Sequence, residues 1–212
     1  MSKSIHIPLE ENCFYHVYNR GSGETNLFFQ DKNYIHFLRK YHEYLSGCID
    51  TYAYCLLPNH FHLLIYVKDK KDFVARESSF PNAEDIAKYT AEEIVSELFR
   101  RFFMSYSKSI NVQQGRNGSL FQKTFRRKLI DSDGYFTRMV YYVHHQLDHH
   151  GFIGKCYKTY PWSSYRSFLW EKETNLKRKE LLDWFGGKEG FIQFHDQTQY
   201  KKAIDHLIIE DE

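Results

Sequence analysis

Two histidines separated by one residue, His60 and His62 in "LLPNHFHLLI", interrupt an otherwise apolar run. In an extended strand successive side chains point to opposite faces, so the two imidazoles share one face while Phe61, Leu63 and Ile65 share the other. A purely structural origin is open to such a pair in a chain with 12 histidines. Burying two imidazoles without partners is costly, however, and a pair on one face is also two-thirds of a metal site. A third donor must then reach the same face. Residues 131–151, "DSDGYFTRMVYYVHHQLDHHG", read as a capped helix on which Tyr142 and Gln146 lie four apart, one turn along a single face. His60, His62 and the Gln146 amide oxygen make an open three-ligand set suited to Mg²⁺ or Mn²⁺, with water or phosphate completing the shell. Within "HHQLDHH", His145 and His149 lack an acidic third ligand on their own face, so this cluster is not read as a second metal site.

Charge supplies the other chemical clue. The formal net charge is only +2, yet residues 98–130 hold Arg100, Arg101, Lys108, Arg116, Lys123, Arg126, Arg127 and Lys128 and no acid, leaving the remainder at −6. A segregated basic field suits a polyanion. The alternative is a solvated helix face, but such faces usually mix signs to gain i,i+4 pairs. His16 and Arg20, in the first strand and its turn, are further candidates to contact such a polyanion. Alternation allows only one of His16 and Val17 onto the histidine face and leaves open which.

The elements that must hold these residues follow from periodicity. "CFYHVYNRG" (13–21) reads as an aromatic strand ending in a turn, and residues 31–47 as an amphipathic helix through Tyr34, Phe37, Leu38, Tyr41 and Leu45. Two strands follow, joined at Pro58–Asn59, because proline cannot donate to a sheet ladder. After a polar loop (68–82) comes a long helix broken near Thr90, a Gly-rich turn "QQGRNGS", a strand over 120–130 and the helix over 131–151. The order strand, helix, strand, strand, helix, strand is the split β-α-β arrangement. The expected class is therefore α+β, ferredoxin-like: one four-stranded antiparallel sheet with two helices on one face, the second face left for a ligand or for later elements. Residues 1–151 form the expected catalytic domain, and residues 152–212 a helical C-terminal extension packing Trp162, Phe168, Trp184 and Phe194. With 212 residues, 42% of them hydrophobic, the chain can bury a substantial core. No apolar run reaches membrane-spanning length and no targeting pattern opens the chain, so a cytoplasmic protein without a membrane partner is expected. Cys13, Cys48, Cys55 and Cys156 form no CxxC pair and read as buried thiols.

"PNHFHLLI" together with "YVHHQ" resembles the paired signatures of the single-tyrosine HUH transposases, in which a His-hydrophobic-His strand faces a helix bearing a tyrosine and, four residues later, Gln or Asn. "FYHVYNRG", "GSLFQKTFRRKLI" and "PWSSY" are similar to the branch related to REP-associated tyrosine transposases, and the motifs run in order over residues 13–170. That branch commonly continues its helix as Tyr-Ile-x-x-Asn-Pro, where this chain has "YVHHQLD". Its loop "GSGETN" lacks the Gly-Ser-Thr signature that accompanies hairpin specificity. The resemblance implies Tyr142 as nucleophile, a divalent ion on His60, His62 and Gln146, and a single-stranded or hairpin DNA substrate cut and rejoined through a 5′-phosphotyrosine. It also allows a homodimer. Two other readings stay open: a module of the same fold that binds structured DNA or RNA without cutting, and a metal hydrolase that uses water and forms no covalent intermediate.

Overall fold

The computed structural model describes residues 7–23, 25–77, 79–151 and 156–197. Strands β1 (Cys13–Arg20), β2 (Ile49–Leu57), β3 (His60–Val67) and β4 (Arg126–Ile130) form one sheet in the order β2-β3-β1-β4, every neighbouring pair antiparallel. This is the ferredoxin-like order expected from the sequence. Pro58 and Asn59 turn β2 into β3. The latter is an inner strand, buried over all but Tyr66, which is why its sequence reads as a nearly continuous apolar run.

Helices α1 (Asp31–Leu45) and α3 (Ala91–Gln114) cover one face. Tyr34, Phe37, Tyr41 and Leu45 of α1, with Ile94, Leu98, Phe102 and Tyr106 of α3, form 3–4-spaced stripes that bury Val17, Phe61, Leu63 and Ile65 of the sheet. The break expected near Thr90 separates α2 (Ala83–Lys88) from α3. Thr90 caps α3 reciprocally with Glu93, and Gly115 ends it at φ 60°, a left-handed position that glycine occupies without a Cβ penalty.

The opposite face is covered as well. Helices α4 (Asp133–His144), α5 (Gln146–His149), α6 (Tyr165–Leu169), α7 (Arg178–Trp184) and α8 (Lys188–His195) build a second apolar layer in which Phe136, Val140, Val143, Tyr165, Phe168 and Phe191 pack with Ala53, Cys55, Leu57 and Leu64. Of the extension expected over 152–212, residues 152–155 and 198–212 lie outside the described residues. Three expectations are corrected. The strand expected over 120–130 is regular only from Arg126; Gln122 N still donates to Arg20 O at 2.9 Å, but residues 123–125 leave the ladder and line a groove beside α3. The helix expected over 131–151 is interrupted at His145 (φ −91°, ψ 16°), which separates α4 from α5. Of the thiols, Cys48 and Cys55 are buried, Cys13 is half-buried and Cys156 is exposed. No helix among the described residues is long and apolar enough to cross a membrane.

Candidate functional site

Cross-strand pairing decides which side chains share the histidine face. Tyr18 lies opposite His62 and Arg20 opposite His60, while on β4 Lys128 lies opposite His16 and Arg126 opposite Tyr18. Directly opposed residues point the same way, so His16, Tyr18, Arg20, Arg126 and Lys128 join His60 and His62. Val17 points to the other face. His16 is buried and its Nε2 lies 2.9 Å from His62 Nδ1, the two rings stacked at 5.1 Å.

Helix α4 meets this face edge-on. The Tyr142 ring stands perpendicular to His16 at 5.6 Å and to His62 at 5.7 Å. Gln146 follows one turn later and is fully buried; its Nε2 donates to Tyr142 O at 3.1 Å, and its Oε1 has no hydrogen-bond partner among the described residues. One turn further, His150 Nε2 reaches His60 Nε2 at 3.0 Å. Residues 142, 146 and 150 thus recur every four residues across the break at His145, in α4, at the start of α5 and just past its end, and the first and last of them touch the two β3 histidines. His60, His62 and His150 bring their ligand atoms within 4.8 Å of one another. In the sequence His150 stands with His144, His145, Asp148 and His149 in "HHQLDHH", a cluster whose own spacing argues against a separate metal site and says nothing of His60. Extending the Tyr142–Gln146 spacing by four more residues reaches His150.

The centre opens onto a cavity of about 270 Å³ lined by Tyr18, Arg20, Asn59, His60, His62, Gln122, Arg126 and His150. A second, larger groove of about 870 Å³ shares Asn19 and Gln122 with it and runs along α3 past Arg100, Phe103, Met104, Lys108, Arg116 and Lys123. Cations and exposed apolar surface alternate there: Met104 is 58% and Val112 78% exposed. Tyr142 is 1% exposed and is not among the residues lining either cavity.

The basic residues do not act as a block. Arg127 points to the α3 face, where it donates to Glu92 at 2.9 Å and Ser96 at 3.0 Å with its side chain 5% exposed. Arg100 and Arg101 both pair with Glu97, whose carboxyl they pull down to about 2. Arg101 also covers the Phe80 ring at 4.5 Å. Two acids just N-terminal to the basic segment therefore take up three of its cations. Lys128 lies 5.4 Å over the Tyr135 ring, its ammonium lowered by burial.

Beside the centre, His144 belongs to a separate buried chain. His195 Nδ1 lies 2.8 Å from Phe191 O, an acceptor, so Nδ1 carries the proton and Nε2 a lone pair. His144 Nδ1 then donates to His195 Nε2 at 2.8 Å, and Ser164 Oγ donates to His144 Nε2 at 2.8 Å while accepting from Tyr54 N at 2.9 Å. Both imidazoles are neutral: burial lowers His144 well below its ordinary value and His195 to about 3.

No family model matches the sequence, and no curated protein matches it. Among solved structures, the chain is similar to one described as the structure of the REP associates tyrosine transposase bound to a REP hairpin. The two are 13% identical, with a TM-score of 0.55 over 82% of this chain and 93% of that one, a likeness that shows a shared fold.

Proposed function

We propose that this protein is a metal-dependent enzyme that nicks and rejoins single-stranded DNA, a transposase or a domesticated relative of one, as the motif resemblance implies. The observation that carries the reading is the convergence of the α4–α5 segment on one strand: Tyr142 against His62, and His150 against His60, with the buried Gln146 oxygen between them in sequence. The likeness to a transposase bound to a REP hairpin supports DNA as the partner. So does the groove of cations and exposed apolar side chains that continues from the centre, since phosphates and unpaired bases need those two surfaces together.

The donor set fits a divalent ion, because three imidazoles bring their ligand atoms within 4.8 Å of one another, and the buried Gln146 oxygen, which has no hydrogen-bond partner among the described residues, is available as a further donor. Held by His60, His62, His150 and Gln146, such an ion would act as a Lewis acid on a phosphate oxygen. The chain's own groups do the rest. Arg20 and Arg126 hold the phosphate at the mouth of the cavity, and Arg116, Lys123 and Lys108 guide the flanking strand. The Tyr142 phenol, losing its proton, attacks phosphorus; the 3′ oxygen leaves and takes up a proton. The phosphotyrosine conserves the bond energy, so a second 3′-OH reverses the step and joins new ends.

One observation favours a second reading, a binding module that does not cut: Tyr142 is 1% exposed and lines neither cavity. The two readings separate in one assay. With Mn²⁺ and a hairpin carrying a single-stranded flank, the wild-type protein is expected to form a denaturant-resistant DNA adduct that Tyr142→Phe eliminates while DNA affinity stays within about twofold. Binding without any adduct would establish the module instead.

A further inference from the structure

We propose that the centre is a three-imidazole site, His60, His62 and His150, that takes a first-row transition ion of the Mn²⁺, Co²⁺ or Zn²⁺ class in preference to Mg²⁺. The inference rests on the metal-dependent reading above and narrows it. Two nitrogen ligands of one ion, each about 2.0–2.2 Å from it, lie roughly 3 Å apart when they are neighbours in its shell. His60 Nε2 and His150 Nε2 are 3.0 Å apart.

The outer contacts fit the same role. His60 Nδ1 lies 2.7 Å from Asn59 Oδ1, which accepts its proton and makes Nε2 the lone-pair atom. His62 Nδ1 lies 2.9 Å from His16 Nε2, and with Nδ1 as the donor of that bond the Nε2 edge of His62 is left to coordinate. Fixing one ring nitrogen with a protein partner so that the other can coordinate is the usual arrangement around metal-bound histidine. The ligand group contains no carboxylate. Mg²⁺ binds chiefly through carboxylate, phosphate and water oxygens, whereas imidazole suits the later first-row ions, so this set ranks Zn²⁺ above Co²⁺ above Mn²⁺, with Mg²⁺ far behind.

The 3.0 Å contact has another explanation, a simple N–H···N hydrogen bond between the two rings, and it predicts no ion uptake. Titrating the chelator-stripped, full-length protein with Co²⁺ decides between them, read by visible absorption and by calorimetry. One Co²⁺ per chain is expected, with a band that survives about a 100-fold excess of Mg²⁺. His150 is exposed, so His150→Ala should keep its circular dichroism spectrum and weaken Co²⁺ binding at least about tenfold. Absence of a Co²⁺ band, displacement by equimolar Mg²⁺, or unchanged affinity in His150→Ala would each overturn the proposal. Tyr142→Phe should take up Co²⁺ as wild type does. Intact uptake with no adduct under any ion would sink the nicking reading and leave the metal site standing.

Discussion

Burial pushes the Tyr141 phenol up to about 12, and its ring stacks on His145 at 3.8 Å, on the side of α4 that faces the C-terminal helices. Tyr142, about 100° around the helix, meets His16 and His62 instead. Tyr141→Phe is therefore expected to retain most adduct formation, and peptide mapping of the trapped adduct should find the phosphate on Tyr142. A phosphotyrosine at Tyr141 or Tyr135 would show the register of the whole site to be wrong. His16 is the residue the sequence left undecided, and its hydrogen bond to His62 gives it a positioning role. His16→Ala should weaken Co²⁺ uptake by about 10–100-fold, with partial recovery in His16→Gln, whose amide can still meet Nδ1. Equal affinities in all three proteins would reduce His16 to packing.

Strand β4 puts two neighbouring arginines to different uses through alternation alone. Arg126 shares the histidine face and lines the cavity, whereas Arg127 is spent on Glu92 across the α3 face. Arg126→Gln should lower DNA affinity and flatten the dependence of log K on log salt by about one unit, because one phosphate contact is lost. Arg127→Met should leave that slope unchanged. Stability should respond the other way: Arg127→Ala takes the cation from Glu92, which keeps Leu9 N and Ser96 Oγ as donors, and is expected to cost about 1.5–3 kcal/mol in urea unfolding, while Arg127→Met fills the volume and costs less. Identical salt slopes for the Arg126 and Arg127 variants would refute the division.

At the scale of the whole molecule, the chain of bonds from Tyr54 through Ser164 and His144 to His195 and Phe191 ties the sheet, α4 and α8 into one unit. Its two imidazoles are neutral when folded and titrate near their ordinary value, about 6.5, when unfolded. The unfolded chain binds more protons between those values, so this contribution is complete above about pH 6.5 and is lost as pH falls toward the folded value. Each histidine should remove roughly 1.4 kcal/mol of stability per pH unit across that window. His195→Gln, which can still donate to Phe191 O and accept from His144, should flatten the acid limb between pH 6.5 and 4.5 by about one proton's worth. An unchanged limb would locate acid sensitivity elsewhere.

The sequence by itself determined what depends on short-range backbone geometry. Period-two alternation put His60 and His62 on one face, four-residue spacing put Tyr142 and Gln146 on another, Pro58 marked the turn, and Thr90 with Glu93 marked a helix start. Those patterns also gave the strand and helix order, and with it the ferredoxin-like class. Only the tertiary structure decided what depends on register and on partners distant in the chain. The pairing of Tyr18 with His62 chose His16 over Val17 for the histidine face. Glu92, 35 residues away, claimed Arg127. His150, 90 residues from His60, completed the imidazole set. Periodicity along one element is fixed by local bond geometry, whereas the meeting of two elements is fixed by the packing of both, and no local pattern records it.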